Sequence, residues 1–279
     1  MSIHAPEYSL PPPALRPRPD RWGAILESQL LERGKALNFV LLGLLSAAVL
    51  LSTVVPFYIA TLFRGGFGPG VSARLFFIPF STGVWFFLLV LLSSSVGAGI
   101  VSRDLASRSL TLYLARPITR FDYLVAKSGA VAAWIFFGAV IPSSIGCFIV
   151  LSLGYASLPL ALQGFGGDLA VGLLAVTAFT GISVFLSSLS SRSALAGAGI
   201  FGVLIGSEAV AVLLAAISNQ PSFGYLSPDE NLIAVASGAF GVGGDPLSPW
   251  VAAVILIGFS ATTFFLAYWR LEGAEVVPE

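Results

Sequence analysis

Ser102-Arg103-Asp104-Leu105-Ala106-Ser107-Arg108-Ser109-Leu110-Thr111-Leu112-Tyr113-Leu114-Ala115-Arg116-Pro117-Ile118-Thr119-Arg120-Phe121-Asp122-Tyr123-Leu124-Val125-Ala126-Lys127 is a short basic stretch set between two long apolar runs. Its neighbours, residues 77–101 and 129–153, are each long enough to cross a hydrocarbon core of roughly 30 Å, which takes about 20 mainly apolar residues. Four more segments meet the same test, at about 38–61, 169–189, 194–217 and 250–268. The chain therefore reads as an all-α integral membrane protein with six transmembrane helices.

Composition requires the same solvent. Of 279 residues, 56% are hydrophobic and 10% charged, and the mean hydropathy is +0.92. A soluble domain carries roughly 25% charged residues, and this chain cannot hide so much apolar surface in a core of its own. The net charge of zero argues against a nucleic-acid partner. One cysteine, Cys147, lies inside an apolar run, which excludes a disulfide framework and a thiolate zinc site. Residues 1–20 are polar and proline-rich with no apolar h-region, so no cleaved signal peptide is expected.

Lys and Arg orient the spans. Arg16, Arg18, Arg21, Arg33 and Lys35 precede span one, and Arg103, Arg108, Arg116, Arg120 and Lys127 lie between spans two and three. With Arg192 and Arg270, twelve of the 14 basic residues fall on one side, leaving Arg64 and Arg74 on the other. Both termini are therefore expected in the cytoplasm. The outer segments after spans three and five carry Asp168, Asp229, Glu230 and Asp245 and no base.

The remaining pieces have their own signatures. Residues 1–19 hold six prolines and read as a disordered or extended arm, with a proline-rich docking ligand as the alternative. Asp20 is placed to cap a helix over 20–37. In it Trp22, Ile25, Leu26 and Leu30 share one face, while Arg21, Glu27, Ser28, Glu32, Arg33 and Lys35 cover the other. That pattern suits an interfacial amphipathic helix; a cytosolic extension of span one is the other reading. Residues 154–168, with Pro159 and Gly164-Phe165-Gly166-Gly167, are expected to turn between spans three and four. Residues 218–249 form the largest extracellular loop, whose apolar part, 232–240, is either a re-entrant or surface-lying helix or an ordinary folded loop.

Within 102–127, Ala106, Leu110, Tyr113, Leu114 and Pro117 follow the spacing of one helix face. Pro117 stops that helix. Thr119 then offers an N-cap with Asp122 three residues on, as in a capping box, so a second helix should lead into span three. Helix, proline corner, helix is the form of a docking surface, although positive-inside charge alone explains the five bases.

Leu112-Tyr113-Leu114-Ala115-Arg116-Pro117-Ile118-Thr119-Arg120, followed by Tyr123-Leu124 and Lys127, resembles the first cytoplasmic loop of permease subunits of ABC-2-type ABC transporters. The wider pattern of an N-terminal interfacial helix, six spans, both ends inside and a long last outer loop is similar too. Asp104 and Ser107-Arg108-Ser109 depart from the family's usual Glu and Gly-Thr. The resemblance implies an ABC-2 (type V) exporter-like fold and a homodimer enclosing a path. It also implies a coupling helix within about 102–114 that seats in a cytosolic ABC ATPase subunit. On that reading Arg103, Asp104, Arg108, Leu110, Tyr113, Leu114, Arg116, Pro117 and Arg120 carry the ATPase coupling. ATP and Mg belong to the partner, and this chain holds no cofactor or metal.

No Gly-x-x-x-x-Gly-Lys-Ser/Thr occurs anywhere, and the glycine-rich stretch 64–70 lacks the lysine that a phosphate cradle needs. The single histidine, His4, lies in the tail, which leaves no His-based metal site or Ser-His catalysis. The chain is not expected to be an enzyme. Glu208 is the one acid well inside a span, and an intramembrane acid is a functional candidate by default. It either lines or gates the translocation path or is a neutral carboxyl bonded to a neighbouring helix. Gly202 and Gly206, with Ala194 and Ala198, form a small-residue face expected to pack helices within one subunit.

The expected function is the membrane-spanning permease of an ATP-driven exporter in the cytoplasmic membrane. The alternatives are an ATP-independent channel or secondary transporter, which would show more mid-membrane polar groups or an internal repeat, and a non-transporting anchor of an ATPase complex. Spans this apolar favour a lipid-like or amphipathic cargo over an ion.

Overall fold

In lipid a backbone has no water to bond, so a spanning segment must satisfy its own N–H and C=O groups as a helix or a closed barrel. The chain takes the first solution. The computed structural model describes residues 21–63, 71–107 and 119–273, and their regular structure is entirely helical. In chain order the helices are α1 (Arg21–Arg33), α2 (Ala36–Leu62), α3 (Ile78–Ser81), α4 (Val84–Gly97), α5 (Ser102–Ala106), α6 (Arg120–Ala139), α7 (Ile141–Ser152), α8 (Leu158–Leu189), α9 (Ser193–Ser218), α10 (Pro228–Phe240) and α11 (Pro249–Gly273). Short 3-10 turns, Ala73–Phe77 and Pro221–Leu226, precede α3 and α10. Six stretches are long and apolar enough to cross a membrane: Ala36–Leu62, Val84–Ala106, Arg120–Ser152, Leu158–Leu189, Ser193–Ser218 and Pro249–Leu271.

α8 is the axis of the bundle, packed by α11, α6, α7, α4, α9 and α10. Small residues let these neighbours come close. A Cβ on Gly97 of α4 would lie 2.6 Å from Ser183 Cβ of α8, and one on Gly138 of α6 would lie 2.7 Å from Leu45 of α2. α9 stands at the edge, with Val203, Val210, Leu213 and Ile217 exposed.

Several boundaries differ from the sequence reading, each for a local reason. The stretch 154–168 is not a turn between spans, because α8 already runs from Leu158. Its glycines serve contact: a Cβ on Gly164 would meet the Phe76 ring at 2.6 Å, and one on Gly167 the Phe240 ring at 2.4 Å. Asp168, expected in the outer segment, is therefore buried inside α8, where it accepts a hydrogen bond from Cys147 Sγ at 3.0 Å. The second span starts at Val84 rather than residue 77, because Gly83, at φ +68°, interrupts the helix between α3 and α4. The third starts at Arg120 rather than 129 and breaks at Val140, where Pro142 stands in the first turn of α7. Pro56, by contrast, sits inside the unbroken α2.

α1 also differs. It ends at Arg33, its buried positions are Ile25, Gln29 and Arg33, and Leu31 is 75% exposed. The most buried i, i+4, i+8 row thus carries two polar residues, while Leu26 beside it meets Gly129 of α6. Asp20 and the arm 1–19 lie outside the described residues, as does the stretch 64–70.

The outer segment 218–249 contains α10, covered on most sides by α11, α8 and the turn at Ala73–Phe77. Phe240 stacks on Phe80 with ring centroids 5.8 Å apart. Among the described residues the face of Gly202 and Gly206 does not pack within the subunit: a Cβ on either would meet none of them within 4 Å.

Candidate coupling site

The basic stretch of the sequence becomes α5 and the start of α6, at the end of the bundle where α1 also lies. The α6 start follows from its cap. Thr119 Oγ1 accepts from Asp122 N–H at 3.1 Å, and Asp122 Oδ2 accepts from Thr119 N–H at 3.1 Å, so both halves of the expected capping box are present. The α5 start is secured from outside. Ser187 of α8 accepts from the backbone N–H groups of Val101 (3.0 Å) and Ser102 (3.1 Å), which have no partner in their own helix.

From this base α5 reaches both neighbours through charge. Asp104 bonds Lys127 Nζ of α6 at 2.7 Å and accepts from Tyr123 O–H, one turn earlier on α6, at 2.6 Å. Lys127 Nζ also lies 5.4 Å from the Tyr123 ring centroid, within cation–π range. The Lys127 side chain is 1% exposed and Asp104 15%. On the other flank Arg103 Nη1 bonds Glu32 Oε1 of α1 at 2.6 Å, both side chains about two-fifths exposed. Gln29 Nε2 donates to the other Glu32 oxygen at 3.1 Å.

These two links differ in strength. An exposed ion pair is worth about 0–1 kcal/mol. Removing one partner of a buried pair costs about 3–5 kcal/mol, because the other charge is stranded. α5 is thus strutted rigidly to α6 and clipped loosely to α1.

Arg33 adds a third cation. It is 3% exposed, at the last turn of α1, and its Nε and Nη2 have no hydrogen-bond partner among the described residues. Its carbonyl accepts from Asn38 Nδ2 at 2.7 Å, and Asn38 Oδ1 accepts from Ser95 of α4 at 2.5 Å, which joins α1, α2 and α4. Burial pulls the Arg33 pKa below its ordinary value and the Arg103 charge pulls it further, against Glu32 and Asp104. Burial raises Glu32, but the Arg103 hydrogen bond and the charges of Arg33, Arg103 and Lys127 outweigh it and hold the carboxyl below its usual range.

Of the residues singled out in the sequence for coupling, Arg103 and Asp104 turn toward the chain's own helices, and Arg120 opens α6 half-buried. Arg108, Leu110, Tyr113, Leu114, Arg116 and Pro117 lie outside the described residues. Sequence reasoning passed over Glu32, Arg33, Tyr123 and Lys127 as site residues. Tyr123 and Lys127 could have been found, since they stand at i, i+4 on one helix face. Glu32 could not, being 71 positions from Arg103.

At the opposite end of the bundle Glu208 accepts a hydrogen bond from Ser227 O–H. Ser227 is also the N-cap of α10, accepting from the N–H groups of Asp229 (3.1 Å) and Glu230 (3.3 Å). Glu208 thus ties α9 to the first turn of α10. Asp229 is 8% exposed, and its Oδ1 has no partner among the described residues. Burial, with the neighbouring charges of Glu208 and Glu230, pushes its carboxyl up to about 8.

Six long apolar helices define a multi-pass membrane protein, with a cluster of charged and polar side chains at one end. The sequence matches the family described as ABC-2 family transporter protein over residues 33–276, and the chain belongs to that family. It is a membrane permease component of an ABC transporter, a kind of subunit that associates with an ABC ATPase. The family's usual location is the cytoplasmic membrane. No curated protein matches the chain.

Proposed function

We propose that the chain is the permease of an ATP-driven exporter. Two copies enclose the path, and two copies of a separate cytosolic ATPase supply the energy. The observation that carries this reading is the pair of charge links that join α5 to α6 and α1. The segment 102–114 docks on the ATPase, with Arg108, Leu110, Tyr113, Leu114, Arg116, Pro117 and Arg120 meeting the partner. Arg103 and Asp104 pass its displacement inward. Motion of α5 moves α6 through the buried Asp104–Lys127 strut, whereas the exposed Arg103–Glu32 clip slips. The basic end of the bundle faces the cytoplasm, as the positive-inside rule directs, and ATP and Mg stay with the ATPase.

The second copy seats on α9. Its open Gly202 and Gly206 let two backbones approach closely, and its exposed Val203, Val210 and Leu213 supply the packing. Glu208 lies on the opposite side of α9, bonded to Ser227. If Glu208→Gln keeps function while Glu208→Leu only lowers expression, its bond to Ser227 is structural and the carboxyl has no part in the path.

The test is affinity purification of the tagged chain in mild detergent, followed by ATPase measurements on the complex. An ATPase should co-purify, and Arg116→Glu or a polar double change at Leu110 and Leu114 should lose it or abolish permease-dependent stimulation. Full stimulation in those variants, with the spans intact, sinks the proposal.

A further inference from the structure

The charged cluster around α5 does not balance. Arg33, Arg103 and Lys127 act on one another and on Glu32 and Asp104, three cations against two acids among the described residues. Lys127 has Asp104, and Arg103 has Glu32. Arg33 is the cation left over, 3% exposed, with Nε and Nη2 unpartnered among the described residues. Those two nitrogens form one edge of the guanidinium, the fork that fits a carboxylate through two parallel hydrogen bonds. A buried lysine can shed its proton, but an arginine stays charged. The open fork is therefore a standing electrostatic cost.

Both nitrogens are shut off from solvent, so the acid that suits them must come from the chain itself. Glu32 is the preceding residue on the same helix, and neighbours at i, i+1 do not face each other. Gln29 Oε1, one turn back on the buried row, also has no partner among the described residues, but a neutral amide leaves the charge uncompensated. Asp104 remains, and its charge acts on Arg33 across the gap between α1 and α5. Lys127 and Tyr123 both engage Asp104 through one oxygen, Oδ2, and a carboxylate offers about four acceptor sites.

What keeps Arg33 from Asp104 is Arg103. A Cβ on Gly99, in the turn between α4 and α5, would lie 2.6 Å from Arg103 Nε and 3.1 Å from Arg33 Nη1. The two guanidinium groups are thus wedged side by side in a niche that a glycine leaves open. Arg103 is held there by Glu32, through the exposed and weaker of the two links.

We propose that α1 has two docking positions on the unit formed by α5 and α6. In this structure Glu32 holds Arg103; once that clip slips and Arg103 leaves the Gly99 niche, the Arg33 fork closes on Asp104. Asp104 keeps Lys127 in both positions, so the strut to α6 is never broken. That an ATPase drives the slip rests on the exporter reading above; the second seat for Arg33 does not.

Arg33→Met keeps an apolar stem and removes the charge. In the permease alone, purified in mild detergent, it should raise the thermal midpoint, because an unpaired buried charge is gone. In a Lys127→Met background Arg33 becomes the cation on which Asp104 falls back, so the same change should lower the midpoint. A shift of one sign in both backgrounds overturns the proposal. Should Lys127→Met fail to fold, Tyr123→Phe takes its place, since it loosens Asp104 without removing a charge. The gain from Arg33→Met must shrink there, and an undiminished gain is equally fatal. In the complex with the ATPase, Arg33→Met should cut permease-dependent stimulation several-fold while the ATPase still co-purifies, and Arg33→Lys should keep most of it. Full stimulation with Arg33→Met sinks the second position and leaves the exporter reading standing. If no ATPase co-purifies with the wild type, the exporter reading fails instead, and the reversal of sign decides the seat by itself.

Discussion

Lys127 is the residue on which the polar cluster turns, because a buried ammonium must keep its partner. Replacing Lys127 with Met takes the buried cation away from Asp104, and Asp104→Asn takes the carboxylate away from Lys127. Each should lower stability by about 3–5 kcal/mol, and the double change should cost less than the sum of the singles. A thermal-unfolding cycle in detergent measures this, and simple additivity would show that the pair is not coupled. Glu32→Gln, in contrast, should cost about 0–1 kcal/mol, because its partner is exposed. Asp229 gives a pH dependence of definite sign. Its folded pKa of about 8 is above the ordinary carboxylate value of 3.8, so the folded state holds the extra proton between them. Stability must therefore fall as pH rises from about 4 to 8, since the slope follows the protons bound by the unfolded less the folded state. Above pH 8 the charge is buried beside Glu208 and Glu230 and the penalty is complete. Asp229→Asn should flatten the fall in thermal midpoint between pH 5 and 9; an unchanged slope would place the titrating group elsewhere.

At the scale of elements, α8 shows why a glycine-rich stretch can be misread. Gly164-Phe165-Gly166-Gly167 has the composition of a turn, yet two of its glycines are the places where Phe76 and Phe240 press on a continuous helix. Propensity cannot distinguish a glycine that bends the chain from one that admits a ring. Gly167→Ala should push Phe240 off its seat and cost about 1–3 kcal/mol, the range for overpacking. The sign of failure would be undocking of α10, read as faster hydrogen exchange over 228–240. The α6 cap is the opposite case. Thr119 and Asp122 were legible because a capping box is local, and Thr119→Ala should cost about 1 kcal/mol. The strut of α5 was not legible in the same way. Asp104 reads as a surface acid until Tyr123 and Lys127 are seen to face it.

At the scale of the whole molecule, α9 carries the prediction. Its glycine face, expected to be consumed within the subunit, stands open at the bundle edge. A two-fold contact pairs each patch with its own copy, so Gly206→Cys should cross-link between protomers under oxidation, and native Cys147, buried, should not. Gly206→Leu should shift the purified protein toward monomer on a sizing column. Cross-links at Leu51 of α2 in place of α9 would move the dimer to another face.

What the sequence by itself determined is the solvent and the number of crossings. Hydrophobic runs of bilayer length are a property of consecutive residues, readable without reference to packing. The basic stretch at 102–127 and the lack of a phosphate-loop motif also belonged to the sequence. Only the tertiary structure decided which charges are load and which are surface. Glu32 and Arg103, Asp104 and Lys127, Asp168 and Cys147, Glu208 and Ser227 are each brought together by helix packing across 19 or more positions. Burial then sets their worth, because the same ion pair that is nearly free at the surface costs several kcal/mol to break inside.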